Sequence, residues 1–434
     1  MFTKKIGLRF ISLSFVSIGI KESILMFFGL FINPFLDKNS QRNKFQNEVK
    51  VLSPNASCFT FSSARGALAA CLKASKIGLG DEVLLSAFTC LAVPTAVLSL
   101  GASPKYCDIN PKTLNVDQDS VLRSLTKKTR AVVIQHTLGS IAETKILKEE
   151  LKNRGIVLIE DCALSIGSTV EDKYVGSFTD ASIFSLELSK TISSGWGGIL
   201  LVNKKELAME VENLFQEIQE IGLIKSYRMA LQVILSGIFY HPNFYWLGKF
   251  FIVVMFKLRL FQPSTPECEE EGEVQDDFIS KLPSLLVGLA IFQWNKFHRI
   301  IESCSANRRR IRKRLLELGY SSLEDNLEGI NPVSPRIPLL VSDRNAFIEL
   351  FKKNGIEIGT WFDGPLTPLP SESKFEFCKD DFPLASFVSK HIVNLPSHNR
   401  LTSRDLTHLE ELINIYAKTA PEDKELQEKI NSIL

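Results

Sequence analysis

The chain has 434 residues, 45% of them hydrophobic, and its 51 basic and 49 acidic residues leave a net charge of only +2. This length suits a large domain with an extensive core plus a smaller second domain, and the balanced charge excludes a general basic field for nucleic acid. The eight cysteines form no C-x-x-C pair and the six histidines no H-x-x-x-H spacing, so we expect reduced cysteines in a cytoplasmic protein and no metal site.

The N-terminal segment, residues 1–44, is unusually apolar. Between residues 10 and 35 the charged pair Lys21-Glu22 stands alone, and three basic residues precede it: Lys4, Lys5 and Arg9. A signal peptide would need a small-residue cleavage site, which is missing, and the charged pair interrupts the ~20 apolar residues of a membrane-spanning helix. The segment therefore predicts a helix that lies in a membrane surface or packs on a second apolar segment.

Between residues 56 and 202, short β-rich runs alternate with helical stretches. The runs predict strands at 83–85, 104–107, 131–134, 157–159, 181–184 and 198–202, and the stretches predict helices at 64–75, 93–100 and 145–154. Strands that alternate with helices indicate βαβ units and a mainly parallel sheet, with ligands at the carboxyl ends of the strands. The predicted fold class is α/β.

An aspartate and a lysine follow two of these predicted strands. Asp161 ends one apolar run, and Lys190 lies between the next run and the glycine-rich turn at 195–198. A lysine amine can form a Schiff base with an aldehyde cofactor, while a carboxylate keeps a pyridine nitrogen protonated. The pair suits pyridoxal 5'-phosphate (PLP). Taken singly, a lysine is usually a surface residue and an aspartate after a strand is usually a cap.

A second apolar segment, residues 225–262, predicts two apolar helices split at 241–243. Its basic residues are placed to meet lipid headgroups: Lys225, Arg228, Lys249, Lys257 and Arg259. A buried hairpin or a dimer contact is the alternative that the sequence leaves open. Residues 263–277 then carry seven acids and predict an exposed, solvated loop.

The final region, residues 281–434, predicts the smaller domain and includes a strongly basic helix at 307–317. Ile311 and Leu315 recur there at helical spacing, so its charges indicate a solvated helix face rather than a nucleic-acid arm.

The order of these motifs resembles that of the DegT/DnrJ/EryC1/StrS sugar aminotransferases. The matching segments are 62–68, 80–84, 87–92, 135–139, 160–163, 185–198 and 394–400. The resemblance implies a fold-type I PLP-dependent transferase, with a large PLP-binding domain at 45–280 and a smaller α+β domain at 281–434. It also implies a homodimer with its active sites at the interface.

The resemblance further assigns roles to individual residues. Lys190 and Asp161 are the expected catalytic residues, and both contact the cofactor. The other expected cofactor contacts are Ser63, Ala64, Arg65, Phe88, Cys90 and Ser185. The start of a helix at Ser63 suits a phosphate, because its free N–H groups and dipole attract anions. His136 and Trp196 are the expected substrate contacts, with a structural role as the alternative for His136.

Ala64-Arg65 departs from the Gly-Thr that family members usually have after the serine, and two further positions also depart from the family pattern. Leu164 replaces a glutamine that bonds the cofactor's phenolic oxygen, and Trp196 replaces a glutamate in the glycine turn. The predicted function is transfer of an amino group from glutamate to a nucleotide-activated keto-deoxysugar, for surface polysaccharide such as lipopolysaccharide. The alternative is a non-catalytic homologue that acts as a membrane-associated binding or scaffold protein. A related sugar dehydratase would carry histidine in place of Lys190. We expect a cytoplasmic protein with peripheral contact at the inner face of the membrane.

Overall fold

A computed structural model describes residues 10–13, 17–32, 37–242, 245–320, 329–368 and 374–432. The predictions that involve Lys4, Lys5, Arg9 and the end of the first apolar segment lie outside the described residues. The helices are α1 (Ile20–Ile32), α2 (Lys38–Val49), α3 (Ala64–Ala74), α4 (Ala92–Leu98), α5 (Gln118–Ser124), α6 (Lys145–Asn153), α7 (Lys205–Glu217), α8 (Leu223–Phe239), α9 (Tyr245–Lys257), α10 (Glu267–Glu270), α11 (Ser284–Trp294), α12 (Phe297–Glu317), α13 (Arg344–Lys353), α14 (Pro383–His391), α15 (Ser403–Thr419) and α16 (Glu422–Ser432). The strands are β1 (Ser57–Phe61), β2 (Glu82–Ser86), β3 (Thr89–Cys90), β4 (Ser103–Cys107), β5 (Thr129–Gln135), β6 (Val157–Asp161), β7 (Thr169–Val170), β8 (Lys173–Tyr174), β9 (Ala181–Ser185), β10 (Gly198–Val202), β11 (Ile330–Asn331), β12 (Arg336–Leu340), β13 (Leu366–Thr367) and β14 (Ile392–Pro396).

A seven-stranded sheet of order β1-β10-β9-β6-β5-β2-β4 forms the centre of the large domain. Strands β9, β6, β5, β2 and β4 run parallel, whereas β10 is antiparallel to both of its neighbours. The predicted α/β class with a mainly parallel sheet is confirmed, and the six predicted strands agree with the structure to within two residues at each end. The predicted strands did not include β1, an edge strand in which four of five residues are buried.

Three layers position the site. One face of the sheet is covered by α3 and α7, and the other by a core that includes residues of α8, α11 and the first half of α12. In the second half of α12, Ile311 and Leu315 belong instead to a small-domain core with β12, β14, α13 and α15. Helix α12 therefore links the two cores, and the predicted division at residue 280 stays a prediction.

The two apolar segments pack against each other. Ile18 and Met26, in and before α1, share a buried core with Met229 and Val233 of α8. The charged residue Glu22 points inward, where it pairs with Lys296 at 2.6 Å. Of the two alternatives that the sequence leaves open for the first apolar segment, the structure shows packing on the second segment. Of the described helices, none has both the length and the apolar run needed to cross a membrane.

The acidic segment at 263–277 is less exposed than its sequence predicts. It contains the short helix α10, in which Glu269 is only 2% exposed and pairs with Arg65 at 3.0 Å. Asp277 pairs with Lys225 at 2.7 Å. The interpretation as a wholly solvated loop is therefore wrong, because two cations from the large domain and the hairpin draw these carboxylates inward.

Candidate active site

Asp161 and Lys190 lie at the same edge of the sheet. Asp161 ends β6, which runs parallel to β9, and Lys190 follows the end of β9 by five residues. Both side chains are buried, at 6% and 8% exposure. Burial raises the pKa of Asp161 and lowers the pKa of Lys190, and in each case the opposite charge of the other residue opposes the shift. The predicted pair is thus brought together where the fold class expects a ligand.

The turn that carries Lys190 is held from several sides. Its backbone folds back through hydrogen bonds from Leu186 N to Gly197 O and from Lys190 N to Glu187 O. Gly195 has a φ of +87°, and a Cβ there would lie 2.0 Å from Val233 Cγ2 of α8. Since that contact leaves no space for a side chain, the apolar hairpin packs directly on the lysine turn. Within the described residues, Lys190 Nζ makes no hydrogen bond or ion pair, so its amine is available for chemistry.

Ser63 and Ser185 lie on either side of the glycine turn. Ser63 caps α3, with its Oγ accepting a hydrogen bond from Gly66 N at 3.1 Å, and its backbone pairs with Gly197. Ser185 pairs with Gly198 across β9 and β10. A Cβ on Gly198 would lie 2.4 Å from the backbone of Ser63, so glycine is required for this approach. Two hydroxyls and a capped helix start that converge in this way suit a phosphate.

Arg65 does not point freely into this phosphate cradle. Its Nε pairs with Glu269 Oε1 at 3.0 Å, and it also donates to the carbonyl of Ser264. The acidic segment therefore holds the guanidinium, and the expected contact of Arg65 with the phosphate stays a prediction. Ala64 begins α3 beside Ser63, where it offers its backbone N–H rather than a side-chain group.

The two candidates for the residue beside the cofactor ring differ in position. Phe88 is fully buried and packs edge-on against Phe362 at 5.2 Å, in a core that also contains Leu164. Cys90 is closer to the chemistry, since burial raises the pKa of its thiol while Lys190 opposes that shift. The structure thus gives Phe88 a packing role and leaves Cys90 as the candidate neighbour of the ring.

His136 is buried with internal partners, which favours the structural alternative, and its expected contact with substrate stays a prediction. It is 1% exposed, its Nε2 lies 3.0 Å from Glu160 Oε1, and its Nδ1 accepts from Ala142 N at 3.1 Å. Glu160 also accepts hydrogen bonds from Gly176 N and Phe178 N. Together with Cys162, these side chains have the donor atoms of a metal site within 4.8 Å of one another. Internal hydrogen bonds already account for the histidine and the glutamate, so we assign no metal there.

Two residues of the small domain approach Lys190 that the sequence reasoning missed. Lys190 Nζ lies 5.0 Å from the centroid of the Trp361 ring, and Arg336 Cζ lies 4.4 Å from the same centroid. The N-terminal segment also reaches the site, because Ser17 Oγ donates to the carbonyls of Lys190 and Thr191. The sequence signal that could have indicated Arg336 is a charged residue at the start of an apolar, strand-like run.

Two cavities adjoin the lysine turn. The larger, of about 1350 Å³, extends from Ser63 and Arg65 to the apolar hairpin and includes four basic residues, Lys225, Arg228, Lys257 and Arg259. The smaller, of about 410 Å³, lies between the turn, the hairpin and the small domain. Trp196 lines both cavities, which is compatible with its predicted contact with substrate.

Residues 31–230 match the sequence model of the DegT/DnrJ/EryC1/StrS aminotransferase family. This segment, slightly less than half of the chain, is similar to that family. The L-glutamine:2-deoxy-scyllo-inosose aminotransferase of Streptomyces kanamyceticus is 35% identical over 42% of this chain and 42% of its own length. GDP-perosamine synthase of Vibrio cholerae is 35% identical over 37% of this chain and 44% of its own length. The chain thus aligns with less than half the length of these curated relatives.

Solved structures of sugar aminotransferases share the fold over nearly the whole chain. The aminotransferase TlmJ from Streptoalloteichus hindustanus has a TM-score of 0.70 at 18% identity and covers 94% of this chain and 100% of its own. DesI, solved with its TDP-sugar product, has a TM-score of 0.69 at 18% identity, covering 98% of this chain and 96% of its own. The fold-type I architecture expected from the sequence is therefore confirmed beyond the matched family segment.

Proposed function

We propose that the protein is a PLP-dependent aminotransferase that moves an amino group from glutamate to the keto group of a nucleotide-activated sugar. The observation that carries the proposal is the buried pair of Lys190 and Asp161 at the carboxyl ends of parallel strands. Ser63 and Ser185 beside the glycine turn would bind the phosphate, whereas Leu164 offers no hydrogen bond to the phenolic oxygen. The relatives support this function, since those named above are an L-glutamine:2-deoxy-scyllo-inosose aminotransferase and a GDP-perosamine synthase.

Each residue would have a distinct task. Lys190 would attach the cofactor covalently, and its released amine would carry a proton to and from the donor's α-carbon. Asp161 would hold the proton on the pyridine nitrogen, and Ser63, Ser185 and the start of α3 would bind the phosphate. When bound, the cofactor supplies an electron sink for the carbanion formed at that carbon. Because burial lowers the pKa of Lys190, more of its amine is neutral and nucleophilic near pH 7 than for an exposed lysine.

The larger cavity supports a nucleotide-activated substrate. It adjoins the expected phosphate site, and Lys257 and Arg259 on its wall make no ion pair with a described residue. Cations that are free of internal partners suit the diphosphate of a sugar nucleotide. The name GDP-perosamine synthase and the TDP-sugar bound to DesI point the same way.

The absorption spectrum of the purified protein tests this function directly. After incubation with PLP, we expect a visible band from the cofactor attached to Lys190, which L-glutamate bleaches as the amino group is transferred. L-glutamine and a free inosose serve as the competing donor and acceptor. A protein that binds no PLP and shows no bleaching with either donor would favour the alternative scaffold role, which Leu164 and Trp196 support by departing from the family pattern.

We further propose that the protein is cytoplasmic and contacts the inner face of the membrane peripherally. Helix α1 turns Phe27, Phe28 and Phe31 outward at 49%, 56% and 63% exposure. Ile224 of α8 and Phe250 of α9 are also exposed, and the basic residues of the hairpin lie on the same segment. An apolar face with neighbouring cations is typical of interfacial helices. A homodimer contact through this face is the competing proposal.

Replacing Phe27, Phe28 and Phe31 with serine is expected to weaken binding to vesicles of anionic phospholipid at least about tenfold, because each exposed ring contributes apolar area. Flotation through a density gradient measures it. The matched control changes three exposed apolar residues elsewhere, Leu79, Ile146 and Met209, to serine. If the parent protein does not bind the vesicles and the triple serine variant dissociates from dimer to monomer, the face is a subunit contact instead.

A further inference from the structure

Arg336 is a buried cation without a counter-ion. It begins β12, is 5% exposed and lines the 410 Å³ cavity. No carboxylate of the described residues lies within ion-pair distance of its guanidinium. Its side chain donates one hydrogen bond, to Leu13 O at 3.3 Å, and its Nε has no partner in the described part of the chain. Burial lowers the pKa of Arg336 to about 10, so the surroundings alone solvate this charge poorly.

The two acids nearest to Arg336 are already engaged. Glu357 accepts hydrogen bonds from Ser12 Oγ at 2.7 Å and from Leu13 N at 2.8 Å. Glu187 accepts from the backbone and hydroxyl of Ser189, at 3.2 and 2.7 Å. Because these partners fix both carboxylates away from the guanidinium, an anion that enters the cavity is not in competition with a formed ion pair.

Two other side chains of the same cavity also keep an unused polar atom. Trp196 Nε1 and Ser236 Oγ are buried and have no hydrogen-bond partner among the described residues. Buried polar atoms in proteins are nearly always bonded, so three unbonded ones around one cavity indicate a missing polar ligand. The volume of the cavity suits a small molecule rather than a nucleotide.

The position of the cavity relates that ligand to the reacting amine. Lys190 Nζ and Arg336 Cζ both contact the ring of Trp361, so they are separated by no more than the sum of the two distances given above. In an α-amino acid the carboxylate lies two bonds from the amino nitrogen. The reacting amine and Arg336 therefore lie beside one aromatic ring, which is where the amino and carboxylate groups of a single donor would have to be bound.

We propose that Arg336 binds the α-carboxylate of the amino donor in the 410 Å³ cavity, as a paired, planar contact that Trp361 orients. The proposal rests on the proposed function for the identity of the ligand. A carboxylate matches the fork of a guanidinium, and its single negative charge balances the single positive charge of Arg336. Arg336 is thus a specificity residue for the donor, distinct from the phosphate cradle at Ser63.

Binding of glutarate to the cofactor-free protein, measured by calorimetry, tests the site without any reaction. Glutarate carries carboxylates but no amine. Arg336→Gln is expected to weaken its binding about 10–100-fold, the usual loss for a hydrogen-bonded charged pair. Arg336→Lys keeps the charge but not the fork, so intermediate affinity is expected and a folding defect of the glutamine variant can be recognised. Arg310→Gln, which removes a surface pair with Glu410, is the control and should leave binding unchanged.

The reaction of the PLP-loaded protein with donors supplies the second measurement. We expect the parent to prefer L-glutamate over γ-aminobutyrate, which lacks the α-carboxylate, and Arg336→Gln to lose at least tenfold of that preference. The second half of the transfer, in which the keto acceptor receives the amino group, should be retained in Arg336→Gln. An unchanged preference, or unchanged glutarate affinity, would overturn the assignment while leaving the aminotransferase function intact. A parent protein that takes up no PLP but binds glutarate through Arg336 would instead reject the function and keep the anion site.

Discussion

Lys190→Ala is expected to lose both covalent cofactor attachment and all measurable amino transfer. The amine is the group that attaches the cofactor and moves the proton, and general acid–base transfer alone typically contributes about 10²–10⁴-fold in rate. No neighbouring lysine can replace it, since Lys204 and Lys205 lie beyond β10. Borohydride reduction followed by mass spectrometry measures the attachment, and a spectrophotometric assay measures the transfer.

Lys205→Ala is the matched control, because it removes an exposed lysine at the start of α7, beyond β10, and should behave as the parent. A cofactor adduct that borohydride still traps in Lys190→Ala would show that another amine holds the cofactor. The thermal unfolding temperature of both variants should be compared first. Removing a buried ammonium is expected to leave the fold intact or stabilise it, since Lys190 forms no ion pair with a described residue.

Asp161→Asn is expected to retain the cofactor but to lower the rate of amino transfer about 10²–10⁴-fold. Lys190 and the phosphate contacts would still hold the cofactor, whereas an amide cannot keep the pyridine nitrogen protonated. Stopped-flow bleaching of the visible band by L-glutamate measures the rate. Burial raises the pKa of Asp161, so in the cofactor-free protein its carboxylate should gain a proton at a higher pH than a free aspartate.

The control for Asp161→Asn is Asp117→Asn, which changes an exposed helix cap where asparagine is equally suitable. Transfer by Asp161→Asn at close to the parent rate would reduce Asp161 to its structural contact, the hydrogen bond from Ala163 N at 3.0 Å. The electron-sink role would then have to be assigned to another group.

The sequence was sufficient where the structure follows from local rules. Asp161 and Lys190 follow parallel strands, and carboxyl ends of parallel strands meet at one edge, so the pair was predictable without a three-dimensional structure. Ser63 was predictable as a helix cap because serine is a preferred residue immediately before the first turn of a helix. These residues depend on neighbours along the chain or on the regular geometry of the sheet.

Residues whose roles depend on distant partners were not predictable in this way. The engagement of Arg65 by Glu269 joins residues about two hundred positions apart, and the inward turn of His136 depends on Glu160 in the adjacent strand. Arg336 and Trp361 reach Lys190 only because the small domain packs against the lysine turn. Periodicity and composition report which face of an element is buried, but not which residue of another domain it meets.

The contact of Ser17 with the carbonyls of Lys190 and Thr191 has a practical consequence for anyone who shortens this protein. Deleting the apolar N-terminal segment to improve yield would remove Ser17 and the Leu13 carbonyl that accepts a hydrogen bond from Arg336. It would also remove Ser12 Oγ and Leu13 N, which donate to Glu357. A chain that begins at residue 45 would keep every residue implied by the family resemblance. The turn that carries Lys190 would nevertheless lose the hydrogen bonds that Ser17 donates to its backbone. A deletion that improves the yield of this protein is therefore expected to lower its activity as well.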